Sequence, residues 1–121
     1  MLVDAPAEAL LIVADATQGK PLLLFNISEP ADELRGHQCR FHLMHTIPSY
    51  AMLADGLAQY LVTKQWKKLL LLQGTLPRDQ AFGQAFRKTS KKFGLKITEE
   101  KEFVLSNDPR QRDQNNIALL T

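Results

Sequence analysis

The segment that decides the fold is Leu69-Leu70-Leu71-Leu72-Gln73-Gly74-Thr75-Leu76-Pro77, four leucines followed by a short turn and a proline. A short apolar run bounded by turn-forming residues predicts a strand that is buried on both faces. Proline favours the first turn of a helix, because its missing N–H needs no partner there. The segment therefore predicts a strand, a turn and a helix in direct succession, as in parallel α/β folds.

The helix that follows Pro77 is predicted to be amphipathic and to end at Gly94. Its apolar face contains Phe82, Ala85, Phe86, Thr89 and Phe93. Basic residues lie toward its C-terminus, where the helix dipole favours cations; they are Arg87, Lys88, Lys91 and Lys92, with Lys96 beyond. No aromatic residues interleave with this cluster, so we interpret it as a solvated helix face and expect no nucleic-acid partner.

The same alternation of strands and helices extends along the whole chain. We predict helices over 6–17 and 48–64, and strands over 1–3, 21–25, 41–44, 69–72 and 96–104, with polar loops over 26–38 and 105–112 and a further element over 116–120. The first helix would start at Pro6 with Asp4 or Ala5 as its cap. The second would carry an apolar face of Tyr50, Leu53, Ala54, Leu57, Ala58 and Leu61.

The order of these elements predicts the fold class. Parallel neighbouring strands need a crossover connection, and a helix between consecutive strands supplies one. We therefore predict an α/β fold with a parallel sheet and flavodoxin-like layers that carry helices on both faces.

Composition and charge restrict the function classes without selecting one. The 121 residues have a net charge of +2, with −4 on residues 1–55 and +6 on residues 56–121. No apolar run approaches the ~20 residues of a membrane span, so we expect none. The first residues lack the basic and apolar regions of a secretory signal, so either the protein stays in the cytoplasm or the chain begins inside a longer one. Because Met1 already lies in a strand and Thr121 interrupts an element, we expect an internal piece of a longer protein.

All three histidines and the single cysteine lie within nine residues, which raises the question of a metal site. The weak candidate ligands are His37, Cys39 and His42. A strand over 41–44 would point His42 and His45 to opposite faces, and the spacing lacks the paired ligands of a zinc motif. We therefore expect no metal site, and one thiol without a partner gives no evidence about the redox compartment.

The turn Gly74-Thr75 is a candidate ligand contact, because it follows a buried strand and precedes a helix. Turn chemistry alone explains these residues equally well, so both interpretations stay open. The turn lacks the glycine and lysine pattern of a nucleotide-binding loop. No pair of carboxylates, nucleophile with a base, or clustered acidic pocket is present in the sequence. We expect neither a cofactor nor enzyme activity.

Several segments of the chain resemble type I periplasmic solute-binding proteins of ABC importers, in the branched-chain amino acid or amide class. They are Lys20–Pro30, Phe41–Asp55, Gln59–Val62, the four-leucine strand and Asp79–Phe86. His45-Thr46-Ile47-Pro48-Ser49 and Met52-Leu53-Ala54-Asp55 resemble motifs of the subgroup associated with pyrroloquinoline-quinone-dependent alcohol oxidation. That family is longer than this chain, so the resemblance implies an internal fragment.

The resemblance implies two α/β lobes that bind a solute in the cleft between them. Residues 1–45 would form the end of the first-lobe segment, and residues 46–121 the start of the second lobe. The ligand-binding residues expected from the resemblance and from the turn after the four leucines are Asn26, Ile27, Ser28, Tyr50, Gly74, Thr75 and Phe82. Phe82 stands where the family usually has tyrosine, and Tyr50 where an acidic residue is often found. A hydroxyl and a carboxylate that could hold an ammonium group are therefore absent.

The resemblance implies a binding protein that breaks no bond. The partners it implies are a small solute, which is an amino acid, an amide or an alcohol-oxidation-related compound, and an ABC transporter permease. The resemblance implies a periplasmic location. Two alternatives remain open: a ligand sensor domain of the same fold, and a stand-alone flavodoxin-like domain. Because a cleft needs both lobes, we expect the isolated chain to bind solute weakly or not at all.

Overall fold

A computed structural model describes residues 1–106 and 108–121. The chain is an α/β protein with parallel sheets, which confirms the predicted fold class. Its residues form two compact units, Met1–Leu53 and Ala54–Thr121. Among the described residues, no helix has the length and apolar character needed to cross a membrane. The polar loop predicted over 105–112 includes Asn107, which lies outside the described residues.

The first unit contains a three-stranded parallel sheet. Its elements are β1 (Leu2–Val3), α1 (Ala7–Thr17), β2 (Leu24–Asn26), a short 3-10 helix (Asp32–Arg35) and β3 (Leu43–His45). The strand order is β1-β2-β3, so β2 is hydrogen bonded on both sides. The register places Asn26 beside Val3 on one side and beside His45 on the other. All three strands therefore end at one edge of the sheet.

The core of the first unit lies between the sheet, α1 and the 3-10 helix. Its buried apolar residues are Val3, Leu10, Ala14, Leu24, Leu34 and Leu43. The predicted cap of α1 is wrong by one or two residues. Pro6 itself is the cap, because its backbone is extended, with φ −64° and ψ 161°, and the helix starts at Ala7.

The second unit contains a two-stranded parallel sheet and the longest helix. Its elements are β4 (Lys68–Gly74), α3 (Pro77–Phe93), β5 (Lys96–Phe103), a 3-10 turn (Pro109–Gln111), α4 (Arg112–Asn115) and α5 (Ile117–Leu120). The helix α2 (Tyr50–Thr63) crosses the boundary between the two units. Pro77 lies in the first turn of α3, as predicted.

The helix α3 ends as its sequence indicates. Gly94 adopts a left-handed conformation with φ 68°, and its N–H donates to the carbonyls of Lys91 and Ser90. The residues Ala85, Phe86 and Thr89 on the predicted apolar face are buried. Glycine stops this helix because it reaches a positive φ without the steric cost that a Cβ adds.

The burial predicted for β4 and α2 is wrong in part. Leu70 is 36% exposed in β4, and Leu53 and Leu57 are 45% and 43% exposed in α2, although Ala54 and Ala58 are fully buried. Within the described residues, β4 has β5 as its one hydrogen-bonded neighbour. A run of leucines predicts a strand that is paired on both edges and covered on both faces. The described residues cover β4 only in part.

An acidic side chain connects α2 to α3 inside the second unit. Thr89 Oγ1 donates to Asp55 Oδ1 at 2.7 Å, and Lys92 Nζ donates to Asp55 Oδ2 at 2.6 Å. The hydrogen bonds from Lys92 and then Thr89 hold the pKa of Asp55 below its ordinary value of 3.8. The stability that this carboxylate contributes is therefore present above that value. It is lost as the pH falls through the lower pKa of the folded state.

Leu10→Ala should lower the free energy of unfolding of the first unit by about 2–5 kcal/mol, because it leaves a cavity in the core. Leu10 is fully buried in α1, whereas Ile12 in the same helix is 69% exposed. The matched control Ile12→Ala should change the free energy by less than about 0.5 kcal/mol. Urea unfolding followed by circular dichroism measures both; equal effects would show that α1 does not pack as described.

Gly94→Ala should destabilise the protein by roughly 1–2 kcal/mol, because alanine at positive φ brings its Cβ too close to the following carbonyl. An added Cβ meets no other atom within 4 Å, so the cost is conformational. Gly56 also has open space around it, but it lies inside α2 without a positive φ. Gly56→Ala should stabilise by roughly 0.5–1 kcal/mol. Thermal unfolding should therefore shift in opposite directions for the two variants.

Lys92→Met should raise the pKa of Asp55 toward its ordinary value, because the strongest hydrogen bond to the carboxylate is removed. Lys88→Met on the same helix is the control, since Lys88 is exposed and makes none of the contacts to Asp55. The pKa of Asp55 is measured by carbon-13 NMR of its carboxyl carbon. An equal pKa in the two variants would contradict the role of Lys92.

Candidate functional site

The loop after β2 is built around the side chain of Asn26, which is fully buried. Its Oδ1 accepts hydrogen bonds from the backbone N–H groups of Ser28 at 3.2 Å and Glu29 at 2.9 Å. Its Nδ2 donates to the carbonyl of Glu29 at 2.7 Å and contacts His45 Nδ1 at 3.0 Å. Both acceptor sites of Oδ1 and both N–H groups of Nδ2 are thus used. Asn26 therefore shapes the loop and has no spare side-chain hydrogen bond for a ligand.

The backbone of the same loop is tied to both neighbouring strands. The Asn26 carbonyl accepts from the N–H of Thr46 at 3.1 Å and from Thr46 Oγ1 at 3.0 Å. The N–H of Ile27 donates to the carbonyl of Val3 at 3.2 Å. Ile27 and Ser28 are both exposed. The loop therefore has a fixed base and presents the side chains of Ile27 and Ser28 at the carboxyl edge of the sheet.

Tyr50, the first residue of α2, lies beside this loop. Its backbone N–H donates to the carbonyl of Pro30 at 3.1 Å. Ser49 is buried, and its Oγ accepts from the N–H of Met52 at 3.3 Å, which caps the start of the helix. The N–H of Ala51 donates to Asp32 Oδ1 at 3.1 Å. The structure thus brings Tyr50 together with the segment that contains the other predicted residues of the first unit.

The predicted residues of the second unit lie around an apolar groove of about 480 Å³. Gly74 and Phe82 line this groove, and the exposed Thr75 follows Gly74 directly. Asp79 also lines it, and a Cβ at position 74 would overlap the Asp79 carboxylate. The remaining lining residues are Leu57, Leu61, Leu69, Leu70, Leu71, Leu72, Gln73, Gly83, Phe86 and Phe103. The groove is therefore mostly aliphatic and aromatic, with one carboxylate at its strand end.

Arg87 forms a hydrogen bond to Gln73, a polar residue that lines this groove. Its Nη2 donates to Gln73 Oε1 at 2.9 Å and to Glu100 Oε2 at 2.7 Å. The Glu100 carboxylate raises the pKa of Arg87, and Arg87 in turn lowers the pKa of Glu100. A Cβ at Gly83 would overlap Gln73 Oε1, so the small residue lets the helix approach the strand closely. Arg87 is thus engaged within the fold.

The structure separates the weak metal candidates. His37 and Cys39 are exposed, whereas His42 Nε2 lies 2.9 Å from the carbonyl of Ala14 and 3.2 Å from Thr17 Oγ1. Throughout residues 1–106 and 108–121, no group of three or more histidine, cysteine, aspartate or glutamate residues is placed to hold a metal ion.

Sequence reasoning missed several residues that shape these sites. His45 and Thr46 contact Asn26 because β2 and β3 are parallel and in register, and a pairing of the two strand ends would have indicated both. Asp79 lies in the first turn of α3, and its place against Gly74 depends on the path of the turn. No local signal in the sequence identifies that contact.

Comparisons with known proteins support the fold. No family model matches the sequence, and neither does any curated protein. A branched-chain amino acid ABC transporter periplasmic ligand-binding protein from Burkholderia xenovorans has a similar structure, with a TM-score of 0.75, 17% identity and coverage of 89% of this chain and 29% of that one.

Two further solved structures resemble the chain. An ABC transporter substrate-binding protein from Desulfitobacterium hafniense has a TM-score of 0.72 at 15% identity, and its complex with Leu has 0.69 at 16%. In both, 93% of this chain is covered and 32% of the other. The chain thus spans about a third of the length of these structures. At such identities the likeness establishes the fold and leaves the ligand undetermined.

Asn26→Ala should destabilise the first unit by about 1–3 kcal/mol, because the N–H groups of Ser28 and Glu29 lose the buried side-chain oxygen that accepts from them. Hydrogen exchange at these two amides should accelerate at least as strongly as the global unfolding equilibrium shifts. Ser28→Ala is the control, since Ser28 is exposed and its hydroxyl makes no hydrogen bond in the described structure. Slow exchange in Asn26→Ala would show that another group supports the loop.

Proposed function

We propose that the protein is part of a solute-binding component of an ABC import system, which binds a small molecule without breaking a bond. The observation that carries the proposal is the buried Asn26, whose four hydrogen bonds fix a loop that leaves Ile27 and Ser28 exposed. A fixed loop with an exposed serine hydroxyl at the carboxyl edge of a parallel sheet suits ligand contact, because such edges commonly bind ligands.

Structural similarity supports the same class of function. The similar chains are named as periplasmic ligand-binding or substrate-binding proteins of ABC transporters, and one is a complex with Leu. From this similarity we infer an ABC permease as partner and a periplasmic location. Binding in such a system needs a ligand that prefers the closed state of the cleft. No cofactor is needed for this function.

We further propose that residues 1–45 belong to the first lobe and residues 46–121 to the second. Asn26, Ile27 and Ser28 would then lie in the first lobe. Tyr50, Gly74, Thr75 and Phe82 would lie in the second.

The ligand class we propose is a small solute with an apolar part, related to an amino acid, an amide or a compound of alcohol oxidation. Phe82 supplies an apolar ring in the groove of the second unit, where most lining residues are aliphatic or aromatic. The resemblance of His45–Ser49 to one subgroup favours the alcohol-related class. Asp79, which lies 3.7 Å from Arg78 Nε, is a carboxylate that the expected site lacked, and it would give an amine a counter-charge in this groove.

An NMR titration of the 121-residue chain tests the proposal, because weak binding is detected by chemical-shift changes. Leucine, leucinamide, a short alcohol and a short carboxylic acid are added separately up to millimolar concentrations. At least one should shift the amides of Ile27, Ser28 and Thr75. No shift at these loops with any of the four, or shifts confined to other surfaces, would contradict the proposed site.

Phe82→Ala should weaken the binding of the responding solute about 3-fold or more, because the side chain loses apolar contact area with the ligand. Phe93→Ala is the matched control: Phe93 lies on the same helix and is also half-buried, but it does not line the groove. Equal dissociation constants for the two variants, obtained from the same titration, would remove Phe82 from the site.

A further inference from the structure

The hydrogen bonds of Asn26 determine which atom of His45 carries a proton. Because Asn26 Oδ1 accepts from the two backbone N–H groups of Ser28 and Glu29, its amide cannot be reversed without breaking both bonds. The Nδ2 group therefore points to His45 Nδ1, 3.0 Å away, as a donor. A donor at that distance requires His45 Nδ1 to be an unprotonated acceptor, so the proton of the neutral ring is on Nε2.

The surroundings of His45 favour this neutral ring. Burial lowers its pKa below the ordinary value of 6.5, and the positive charge of Arg35 on the 3-10 helix lowers it further, while the backbone of Leu34 acts in the opposite direction. Arg35 is held in place by donating from Nη2 to the carbonyl of Ile47 at 2.5 Å. The carboxylate of Glu29 is engaged with the N–H of Ala31 at 3.0 Å.

We propose that His45 is a positioning residue that holds the loop at residues 26–29 in its neutral form alone, so that protonation of Nδ1 releases this loop. A protonated Nδ1 sets two donors against each other across the contact with Asn26 Nδ2. The side-chain amide of Asn26 cannot rotate to present its oxygen to His45, because Oδ1 already accepts from Ser28 and Glu29. The contact breaks, and the buried side-chain amide of Asn26 loses its hydrogen bond to His45 of β3.

The pH range in which the loop loses protection follows from the direction in which the pKa of His45 is shifted. Above the ordinary histidine value of 6.5, the ring is neutral in both folded and unfolded chains, and the loop is held. As the pH falls below that value, the unfolded chain takes up the proton first, and protection of the loop decreases until His45 is charged in the folded state.

The release of the loop is a property of the fold and needs no ligand. Its effect on solute rests on the proposed function: Ile27 and Ser28 would lose their fixed positions in acid, and a solute bound there would be released. The loop is therefore tested without solute, so that a failure of the solute titration and a failure of this proposal remain distinct.

The experiment follows the 121-residue chain by nitrogen-15 NMR between about pH 7.5 and pH 4.5. At high pH, the His45 ring should show the neutral form with its proton on Nε2. As His45 titrates below 6.5, the Asn26 side-chain amide signals should move. The protection factors of the Ser28 and Glu29 amides should fall as the pH drops from 6.5 to the midpoint of the His45 titration, and then level off. A proton on Nδ1 at neutral pH, or unchanged protection across the titration, overturns the proposal.

Three variants separate the titration from the mere presence of a ring. His45→Asn places an amide oxygen near the position of Nδ1 and does not titrate, so it should keep loop protection at both ends of the pH range. His45→Leu offers no acceptor and should lose protection at every pH. His37→Asn is the control, since His37 is exposed, and it should retain the wild-type pH dependence. Should His45→Asn lose protection with falling pH as the wild type does, His45 is not the group responsible.

Discussion

Parallel pairing of β2 with both of its neighbours is the constraint on which the first unit depends. Parallel strands of one sheet end at the same edge, so the last residue of β2 meets the last residues of β1 and β3. Asn26 occupies that place, and its buried amide joins its own loop to β3. An unpaired amide there would be costly in a buried setting. The geometry of the candidate loop is therefore a consequence of strand register.

Local chemistry allowed most of the fold to be predicted from sequence. Proline in the first turn of α3, glycine at its end and the apolar run in β4 each act within a few residues, and each was identified correctly. The extent of burial was not, because exposure depends on how many elements surround a strand. Leu53 and Leu57 have helical apolar spacing, yet they are partly exposed in these 121 residues.

The candidate site shows the same division between local and long-range information. Asn26 and Gly74 follow apolar runs, so their positions at strand ends could be predicted. Their partners could not: His45 is 19 residues from Asn26 in sequence, and the Asp79 contact depends on the turn after β4. A lone histidine near a strand end gives no sign of its tautomer. The tautomer of His45 can be assigned only from the structure, where two backbone donors fix the orientation of the neighbouring Asn26 amide.

The partly exposed leucines of β4 have a consequence for biosynthesis. An apolar segment with unpaired backbone groups along one edge is a template for pairing with other chains and for aggregation. Lys67 and Lys68 directly precede the leucines, and charged residues in this position act as gatekeepers that disfavour such association. We therefore expect the two lysines to disfavour such association before the leucine strand is packed.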